Sequence, residues 1–321
     1  MTAILEYFSS LNPLNLVRNI PSSVAQGLIW GLMAIGVYIT FRILDMADLT
    51  VDGSFTTGGA CTVMLICAGV PSWLALLIAT LAGTAAGCVT GLLHTRLGIP
   101  PILAGILTQF ALYSVNLHIM GMAANKSLNP DKYSLTVTSR NIPLSIVFAA
   151  VIAAVVIVIL YWYFGTEQGS AIRATGNNPS MSRAQGINTN TMKVIGLSLS
   201  NALVALAGGL MSEYQGFADI NMGRGAIVIG LAAVIIGEVL FEAIFKSKLN
   251  FSFRLIFVLV GGIVYYLVIG IVLWLKLNSN DLKLFTAVIV ALFLAIPHLR
   301  QQAKVSFGAH GRANGEGGKH A

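Results

Sequence analysis

The run NIPLSIVFAAVIAAVVIVILYWYFGT, residues 141–166, contains no charged side chain and is apolar at every position from Ile152 to Leu160. A helix needs about 20 apolar residues to cross a bilayer. A transmembrane β-strand would be about ten residues long with alternating polarity, which this run lacks. The run therefore predicts a membrane-spanning helix and excludes a transmembrane barrel.

Similar uncharged runs extend in both directions and bracket most of the chain. Only 10% of the 321 residues are charged, against roughly a quarter in a soluble domain. No polar stretch much exceeds thirty residues, so an extramembrane domain is excluded. The sequence predicts an all-α polytopic membrane protein with about nine transmembrane helices, within a range of eight to ten. We expect these helices at residues 21–42, 53–69, 71–95, 99–122, 143–164, 192–213, 225–245, 255–276 and 283–298.

The two ends of the chain differ from the predicted membrane domain at residues 21–305. Residues 1–20 contain apolar side chains such as Leu5 and Tyr7, so we expect an interfacial helix or a short first span there. Residues 306–321 are rich in glycine and have no apolar periodicity. That composition indicates a disordered tail.

The net charge is +7, but the basic residues are scattered along loops instead of forming one stripe, which argues against nucleic-acid binding. Residues 165–193, residues 246–254 and the tail after residue 299 are basic and fall on one side when the helices are counted off. By the positive-inside rule that side is cytoplasmic, so we expect a cytoplasmic C-terminus. The loop at 123–142 disagrees, because it lies on the other side and carries three basic residues against Asp131.

The sequence contains no recognisable catalytic motif. Cys61, Cys67 and Cys88 lie inside apolar runs without CxxC spacing, which favours packing over a disulfide or a metal site. There is no G-x-x-x-x-G-K-S/T phosphate loop, and neither the H-E-x-x-H nor the G-x-S-x-G pattern occurs. We therefore expect a transport subunit that is not an enzyme and has no cofactor or metal of its own.

One short segment of the chain occurs twice. ADLTVDG at residues 47–53 is echoed by ADINMGRG at residues 218–225, and each copy follows an apolar helix. The helices before the two copies are an odd number of spans apart, so they would cross the membrane in opposite directions. This pattern is typical of an inverted-topology repeat, with repeat 1 at about 21–122 and repeat 2 at about 192–298. A chance match is the alternative, because few identities support the echo.

Both copies interrupt the helical pattern, and their glycines would let the backbone line a cavity at membrane depth. Polar side chains near these breaks or within apolar helices are candidates for a solute pathway. For a zwitterionic amino acid, the aspartates would meet the ammonium group. The alternatives are helix capping for the aspartates and interhelical hydrogen bonding for the amides. The candidates are Asp48, Asp52, Ser54, Gln109, Asn116, Asn201, Gln215, Asp219 and Asn221.

The longest polar connection, residues 165–193, carries clear helix punctuation. Asn178 suits an N-cap, Pro179 suits the first helical position, and Gly186 suits the left-handed residue after the last turn. The spacing predicts a helix at residues 179–185. Such a helix could transmit a movement of a soluble partner to the membrane helices. An ordinary capped loop helix is the alternative.

This loop resembles that of the permease subunits of ATP-binding-cassette (ABC) importers, in the branch that serves branched-chain amino acids, ribose and related solutes. The motifs are GSAIRATGNNP at 169–179, AQGI at 184–187 and ALVALAGGL at 202–210. Within the branch the chain is most similar to tryptophan and aromatic amino-acid permeases. That similarity lies in FRILD at 41–45, DLTVDGSF at 48–55, GLLHT at 91–95 and YQGFADINMG at 214–223.

The resemblance implies a homodimer of permeases in the lipid of a bacterial inner membrane. It also implies two cytoplasmic ATPase subunits that bind ATP and Mg²⁺, and a periplasmic or lipid-anchored solute-binding protein. The helix at 179–185 would be the coupling helix that docks in the ATPase, where the loop arginines would pair with acidic groups or else only set topology. The implied docking residues are Arg173, Asn178, Pro179, Met181, Arg183, Ala184 and Gly186.

The resemblance favours a small polar solute, an amino acid with an aromatic side chain of the tryptophan or tyrosine type. A ribose or nucleoside importer is the alternative within the branch. A gradient-driven secondary transporter is a further alternative, because inverted repeats and intramembrane aspartates also occur in that class.

Overall fold

A computed structural model of the chain describes residues 13–245 and 251–274, together with a few single positions between 284 and 295. The described residues form ten α-helices and one pair of short strands. The helices are α1 (Pro13–Tyr38, continued by a π-helical turn at Ile39–Ile43), α2 (Thr50–Cys67), α3 (Ser72–Arg96), α4 (Pro101–Ile119), α5 (Ile142–Gly165), α6 (Glu167–Asn177), α7 (Pro179–Ala184), α8 (Thr189–Gln215), α9 (Ala226–Phe245) and α10 (Phe251–Trp274). The strands are β1 (Asn125–Ser127) and β2 (Phe217–Asp219).

Six helices in the described part are long and apolar enough to cross a membrane, which confirms an all-helical polytopic protein. These candidate spans are Val17–Ile43, Ser72–Arg96, Pro101–Ile119, Ile142–Gly165, Thr189–Gln215 and Phe251–Trp274. The expected count of nine is not confirmed, because α2 and α9 are not among the six. The helix expected at 283–298 lies almost entirely outside the described residues.

The N-terminal boundary differs from the expectation. Helix α1 begins at Pro13, so residues 13–20 form its first turns and are not a separate segment. Residues 1–12 and the glycine-rich tail at 306–321 lie outside the described residues. The chain divides into compact units at 1–271 and 272–321, and in the second unit the structure describes only the end of α10 and single positions.

Helix α6 was not predicted. Gly169 and Gly176 lower its intrinsic helix propensity, and its apolar content is low. Its first turn is capped by Thr166, whose side chain accepts a hydrogen bond from the Gly169 amide. A narrow face is buried, comprising Gly169, Ile172 and Thr175 at a spacing of three residues. Tertiary packing of this face therefore outweighs the weak local propensity.

The core of the bundle lies along α1 and α8. The apolar windows of these helices are 83% and 72% buried, against 22% for both α4 and α5. Helix α8 packs along α2 and α3, whereas α1 packs along α9 and α10. Each first helix thus packs against the helices that follow the other one in the chain.

Glycines allow these helices to approach closely. A Cβ on Gly58 of α2 would overlap the carbonyl group of Ala205 on α8. In the other half, a Cβ on Gly262 of α10 would lie 2.8 Å from the Cα atom of Gly31 on α1. Small residues are favoured at such interfaces because packing, and not the hydrophobic effect, holds helices together in lipid.

The first copy of the repeated segment is a break near the middle of the bundle. Helices α1 and α8 cross where the Ser200 hydroxyl donates to the carbonyl oxygen of Gly36 at 2.7 Å. After its π-helical turn, the chain runs without regular structure through residues 44–49 before α2 begins. Ser54, in the second turn of α2, contacts Asn201 beside this crossing. Helix α2 therefore begins inside the bundle, where Thr50 and Ser54 are fully buried, and not at its surface.

The second break follows α8, which ends at Gly216 in the left-handed conformation (φ 77°). Strand β2 then pairs antiparallel with β1. We call the end of the bundle that carries these strands the sheet end. The opposite end, which carries α6 and α7, is the loop end. The fully buried Glu213 carboxylate accepts hydrogen bonds from the Ser72 hydroxyl at 2.6 Å and the Thr136 amide at 3.0 Å. Glu213, which was not among the predicted residues, thus fixes the connection before α5 to α8.

The basic connection at 123–142 contains an ion pair between Arg140 and Asp131, with Nη2 and Oδ2 3.0 Å apart. Hydrogen bonding to the carboxylate raises the pKa of the exposed Arg140 guanidinium. The pair offsets one of the three basic charges that oppose the positive-inside pattern in this connection.

Candidate functional site: a polar cavity between the two breaks

The first break is held by a buried network centred on Asn201. Its Nδ2 donates to Asp48 Oδ2 at 2.7 Å, and its Oδ1 accepts the Ser54 hydroxyl at 2.7 Å. Asp48 Oδ1 accepts the Thr50 amide at 2.9 Å. Asp48 is 3% exposed, and the other two side chains are fully buried. These three predicted residues therefore form an interhelical network and do not line the cavity described below.

Asp52 connects the two breaks. Its Oδ2 accepts the Gly225 amide at 2.9 Å, and its Oδ1 accepts the Ile227 amide at 3.0 Å. It thereby satisfies amides at the start of α9 that have no partner within that helix. Thr56, one turn further along α2, accepts the Gly223 amide at 3.2 Å. Asp52 thus caps a helix, as the alternative predicted, but the helix is α9 and not its own.

A cavity of about 320 Å³ lies between α2, α4 and the segment before α9. Its volume is within the range of small-molecule sites. We call it the break cavity, and its lining residues are Asp52, Gly53, Thr56, Gln109, Phe110, Tyr113, Asn116, Ile220 and Arg224. The lining combines one carboxylate, one guanidinium, two amides and two aromatic rings.

Asn116 provides an unused acceptor at this cavity. Its side chain is 1% exposed, and its Nδ2 donates a long hydrogen bond of 3.4 Å to the carbonyl oxygen of Gly53. Its Oδ1 has no hydrogen-bond partner among the described residues. Leaving a buried acceptor unpaired costs about 1–3 kcal/mol. As an unpaired oxygen on a residue that lines the cavity, it is a candidate acceptor for a molecule bound there.

The predicted pathway residues fall into three places. Asp52, Gln109 and Asn116 meet at the break cavity, and Asp48, Ser54 and Asn201 form the buried network. The remaining three lie at the sheet end. There Gln215 and Asn221 are exposed, and Asp219 accepts the Asn221 amide at 2.7 Å, so it caps a turn.

Five lining side chains were missed by the sequence reasoning, namely Thr56, Phe110, Tyr113, Ile220 and Arg224. Two signals could have found most of them. Arg224 lies directly within the second copy of the repeated segment. Tyr113 follows Gln109 by four residues and precedes Asn116 by three, which places all three on one helix face.

A family model for the permease component of branched-chain amino acid transport systems matches residues 19–297. The chain belongs to this family. It is therefore the permease subunit of an ABC importer, a transport component, and the helical bundle is its membrane-spanning part.

This permease is 37% identical over 288 residues to the tyrosine transport system permease protein of Clostridioides difficile strain R20291, covering 90% of this chain and 94% of that protein. It is 32% identical to the autoinducer 2 import system permease protein LsrC of Yersinia pseudotuberculosis serotype O:1b, over 68% of this chain and 60% of that protein. It is 27% identical to the fructose import permease protein FruF of Bifidobacterium longum, over 76% of this chain and 67% of that protein.

At its loop end the permease has the short helix that its sequence predicts. Helix α7 ends at Ala184, one residue earlier than expected. The Asn178 side chain accepts the Met181 amide at 3.0 Å, and Gly186 has a φ of +85°. The predicted cap residues are confirmed, and Met181 is 58% exposed. Helix α7 therefore presents an apolar side chain on the surface of the permease.

The two loop arginines form hydrogen bonds within the permease. Arg173 Nη2 donates to the carbonyl oxygen of Phe164 at 2.7 Å, which ties α6 to α5. Arg183 Nε donates to the Thr189 hydroxyl at 2.8 Å, which ties α7 to α8. Both side chains thus fix the two short helices onto the membrane helices.

Helix α6 touches the chain that leads to the first break. A Cβ on Gly176 would overlap the carbonyl oxygen of Ile43 in the π-helical turn. The next residue, Leu44, packs its side chain against Gly196 of α8. Asp48 follows four residues later. A displacement of α7 and α6 therefore has a contiguous route of contacts to the buried network.

Proposed function

We propose that the permease imports an amino acid with an aromatic side chain, and that tyrosine is the first solute to test. The observation that carries this proposal is the similarity to the tyrosine permease of Clostridioides difficile along 94% of that protein. The break cavity supports it, because opposite charges beside two aromatic rings suit a zwitterionic aromatic solute.

The importer would contain two copies of this chain, two cytoplasmic ATPase subunits, and a periplasmic or lipid-anchored binding protein that delivers the solute. ATP and Mg²⁺ would bind the ATPase subunits, and the permease itself would need no cofactor. Helix α7 would dock in the ATPase with Met181 at its surface. The capped helix and its contacts through α6 to the first break support this role.

The position of the break cavity supports a homodimer. Phe110 and Tyr113 are 72% and 44% exposed, so the cavity opens at the surface of a single chain. Charged groups such as Asp52 and Arg224 are costly beside lipid. A second copy on this surface would separate the cavity from lipid and make it part of a shared pathway.

The loop end would lie in the cytoplasm of a bacterial cell and the sheet end outside its inner membrane. The basic loop charges and the position of α7 support this orientation. The C-terminus would then be cytoplasmic.

A sugar-type solute is the second candidate, because relatives named for fructose and autoinducer 2 import share 27% and 32% identity with the permease. A sugar needs only neutral donors and acceptors, so it would leave Asp52 and Arg224 without charged partners in the solute.

The test is uptake into proteoliposomes that contain the permease, its ATPase and its binding protein. We expect uptake of labelled L-tyrosine that requires ATP and all three components, and that excess L-tryptophan, but not fructose, reduces. Vesicles with the permease alone and an imposed ion gradient are the control. Uptake of fructose in place of tyrosine would assign the permease to the sugar branch, and gradient-driven uptake by the permease alone would contradict the importer assignment.

A further inference from the structure

We infer that the break cavity is a binding subsite for a free α-amino acid, in which Asp52 and Asn116 bind the ammonium group and Arg224 binds the carboxylate. This inference rests on the proposed function. Beyond that function, it locates a site in the permease where the ammonium and carboxylate groups of the solute are bound by different residues.

The ammonium pole consists of acceptors with free capacity. A carboxylate has about four acceptor positions, and the Gly225 and Ile227 amides occupy two of those on Asp52. Asn116 adds an unpaired Oδ1, and its Nδ2 binds Gly53, the residue directly after Asp52. The two acceptors are therefore neighbours on one wall. An ammonium group has three donors, enough for both.

The carboxylate pole is the Arg224 guanidinium. Among the described residues this side chain forms no ion pair, and it lines the same cavity as Asp52. Arg224 is directly before Gly225, so the two charged side chains belong to adjacent positions on the cavity wall. A guanidinium binds a carboxylate in a planar, bidentate way. The two poles thus face one cavity, as the two charged groups of an α-amino acid require.

The third part of the subsite is aromatic. Phe110 and Tyr113 lie on α4 at the open edge of the cavity. Their rings would pack against an aromatic side chain, and such pairs contribute beyond the buried area alone. The solute would therefore be oriented with its charged groups at Asp52 and Arg224 and its ring against Phe110 and Tyr113.

A purely structural role explains only part of this arrangement. Capping of α9 accounts for Asp52. It does not account for the buried Asn116 oxygen without a partner among the described residues, or for Arg224, which lines the same cavity and forms no ion pair with a described residue. A ligand with a positive and a negative group satisfies all three residues at once.

The subsite is tested with the purified permease–ATPase complex without the binding protein, so that solute selection by the latter plays no part. Binding of three probes is measured from the rise in melting temperature with concentration. The probes are L-tyrosine, tyramine, which lacks the carboxylate, and 3-(4-hydroxyphenyl)propanoate, which lacks the ammonium group. We expect each of the latter two to bind about tenfold more weakly or worse, because a charge-assisted contact is lost.

Two variants identify the poles. In Arg224→Gln, tyrosine should bind about tenfold more weakly and no better than tyramine, since the group that recognises the carboxylate is gone. In Asn116→Leu, tyrosine and tyramine should weaken while the propanoate is unchanged. Arg140→Gln is the matched control, because Arg140 pairs with Asp131 in an exposed connection. This variant should bind all three probes as the wild type does.

The wild-type series stays informative even where a variant fails to fold. Equal affinities for the three probes, or no binding of any of them, would overturn the subsite, and so would an unchanged preference in Arg224→Gln. The proposed function is judged separately by uptake. If tyrosine is transported while the probes bind equally, the subsite alone is wrong, and if only fructose is transported, the proposed function is wrong.

Discussion

Asn201 illustrates how one side chain stabilises a break in a membrane helix. Its side chain accepts a hydrogen bond from Ser54 in α2 and donates one to Asp48 in the first break, so it joins α8 to both segments. These groups are fully or almost fully buried, so a lost partner is costly. Asn201 therefore contributes strongly to the conformation of the break.

Replacing Asn201 with leucine should destabilise the permease by roughly 2–4 kcal/mol, because Asp48 and Ser54 would each lose a partner in a buried site. Thermal unfolding of the purified protein in detergent measures the effect. Asn190→Leu is the control, since Asn190 is exposed at the start of the same helix and should change stability little. Equal melting temperatures for the two variants would contradict the role assigned to the network.

At the scale of elements, α6 and α7 have distinct tasks. Helix α7 provides an exposed surface with a defined end, and α6 carries its position to the first break through Gly176 and Ile43. Docking and transmission should therefore be separable by substitutions in the two helices.

Gly186→Val tests docking. The glycine has a φ of +85°, where a β-branched residue is strained by about 1–2 kcal/mol, so the end of α7 should be distorted. We expect less ATPase to co-purify with the permease and ATP-driven uptake to fall at least severalfold. Gly165→Val is the control, because Gly165 has no neighbour within reach of a Cβ and no positive φ. Full co-purification with Gly186→Val would contradict docking through α7.

Gly176→Val tests transmission. The added side chain must displace α6 from the π-helical turn, because its Cβ would overlap the carbonyl oxygen of Ile43. Helix α7 keeps its caps, so the ATPase should still co-purify and hydrolyse ATP. We expect the amount of solute transported per ATP to decrease severalfold, measured by uptake and phosphate release in the same proteoliposomes. An unchanged ratio would show that α6 does not carry the coupling.

In the whole molecule, α9 is linked to the first break and its flanking helices at two places. Asp52 of α2 binds the start of α9, and Arg42 forms an ion pair of 2.6 Å with Glu238 of α9 toward the loop end. A motion that separates α9 from α1 and α2 must rearrange one or both of these contacts.

Sequence reasoning predicted the long helices well and the site only in part. Helices α3 and α5 lie within one residue of their expected ends at 71–95 and 143–164, because charge-free runs have unambiguous limits. The repeated segment located both breaks. The partners of Asp48 and Asp52 could not be predicted, since those contacts join residues 153 to 175 positions apart and depend on how the helices pack.

Cysteine labelling tests most directly whether the break cavity is on the solute pathway. In a permease with its three cysteines replaced by serine, Gln109→Cys places a thiol at the cavity, and Leu107→Cys places one on α4 away from its lining. A charged methanethiosulfonate should react with the first thiol and stop ATP-driven tyrosine uptake. Excess tyrosine should slow this reaction. The reagent should leave Leu107→Cys active. Unimpaired uptake after complete modification of Gln109→Cys would contradict a pathway through this cavity.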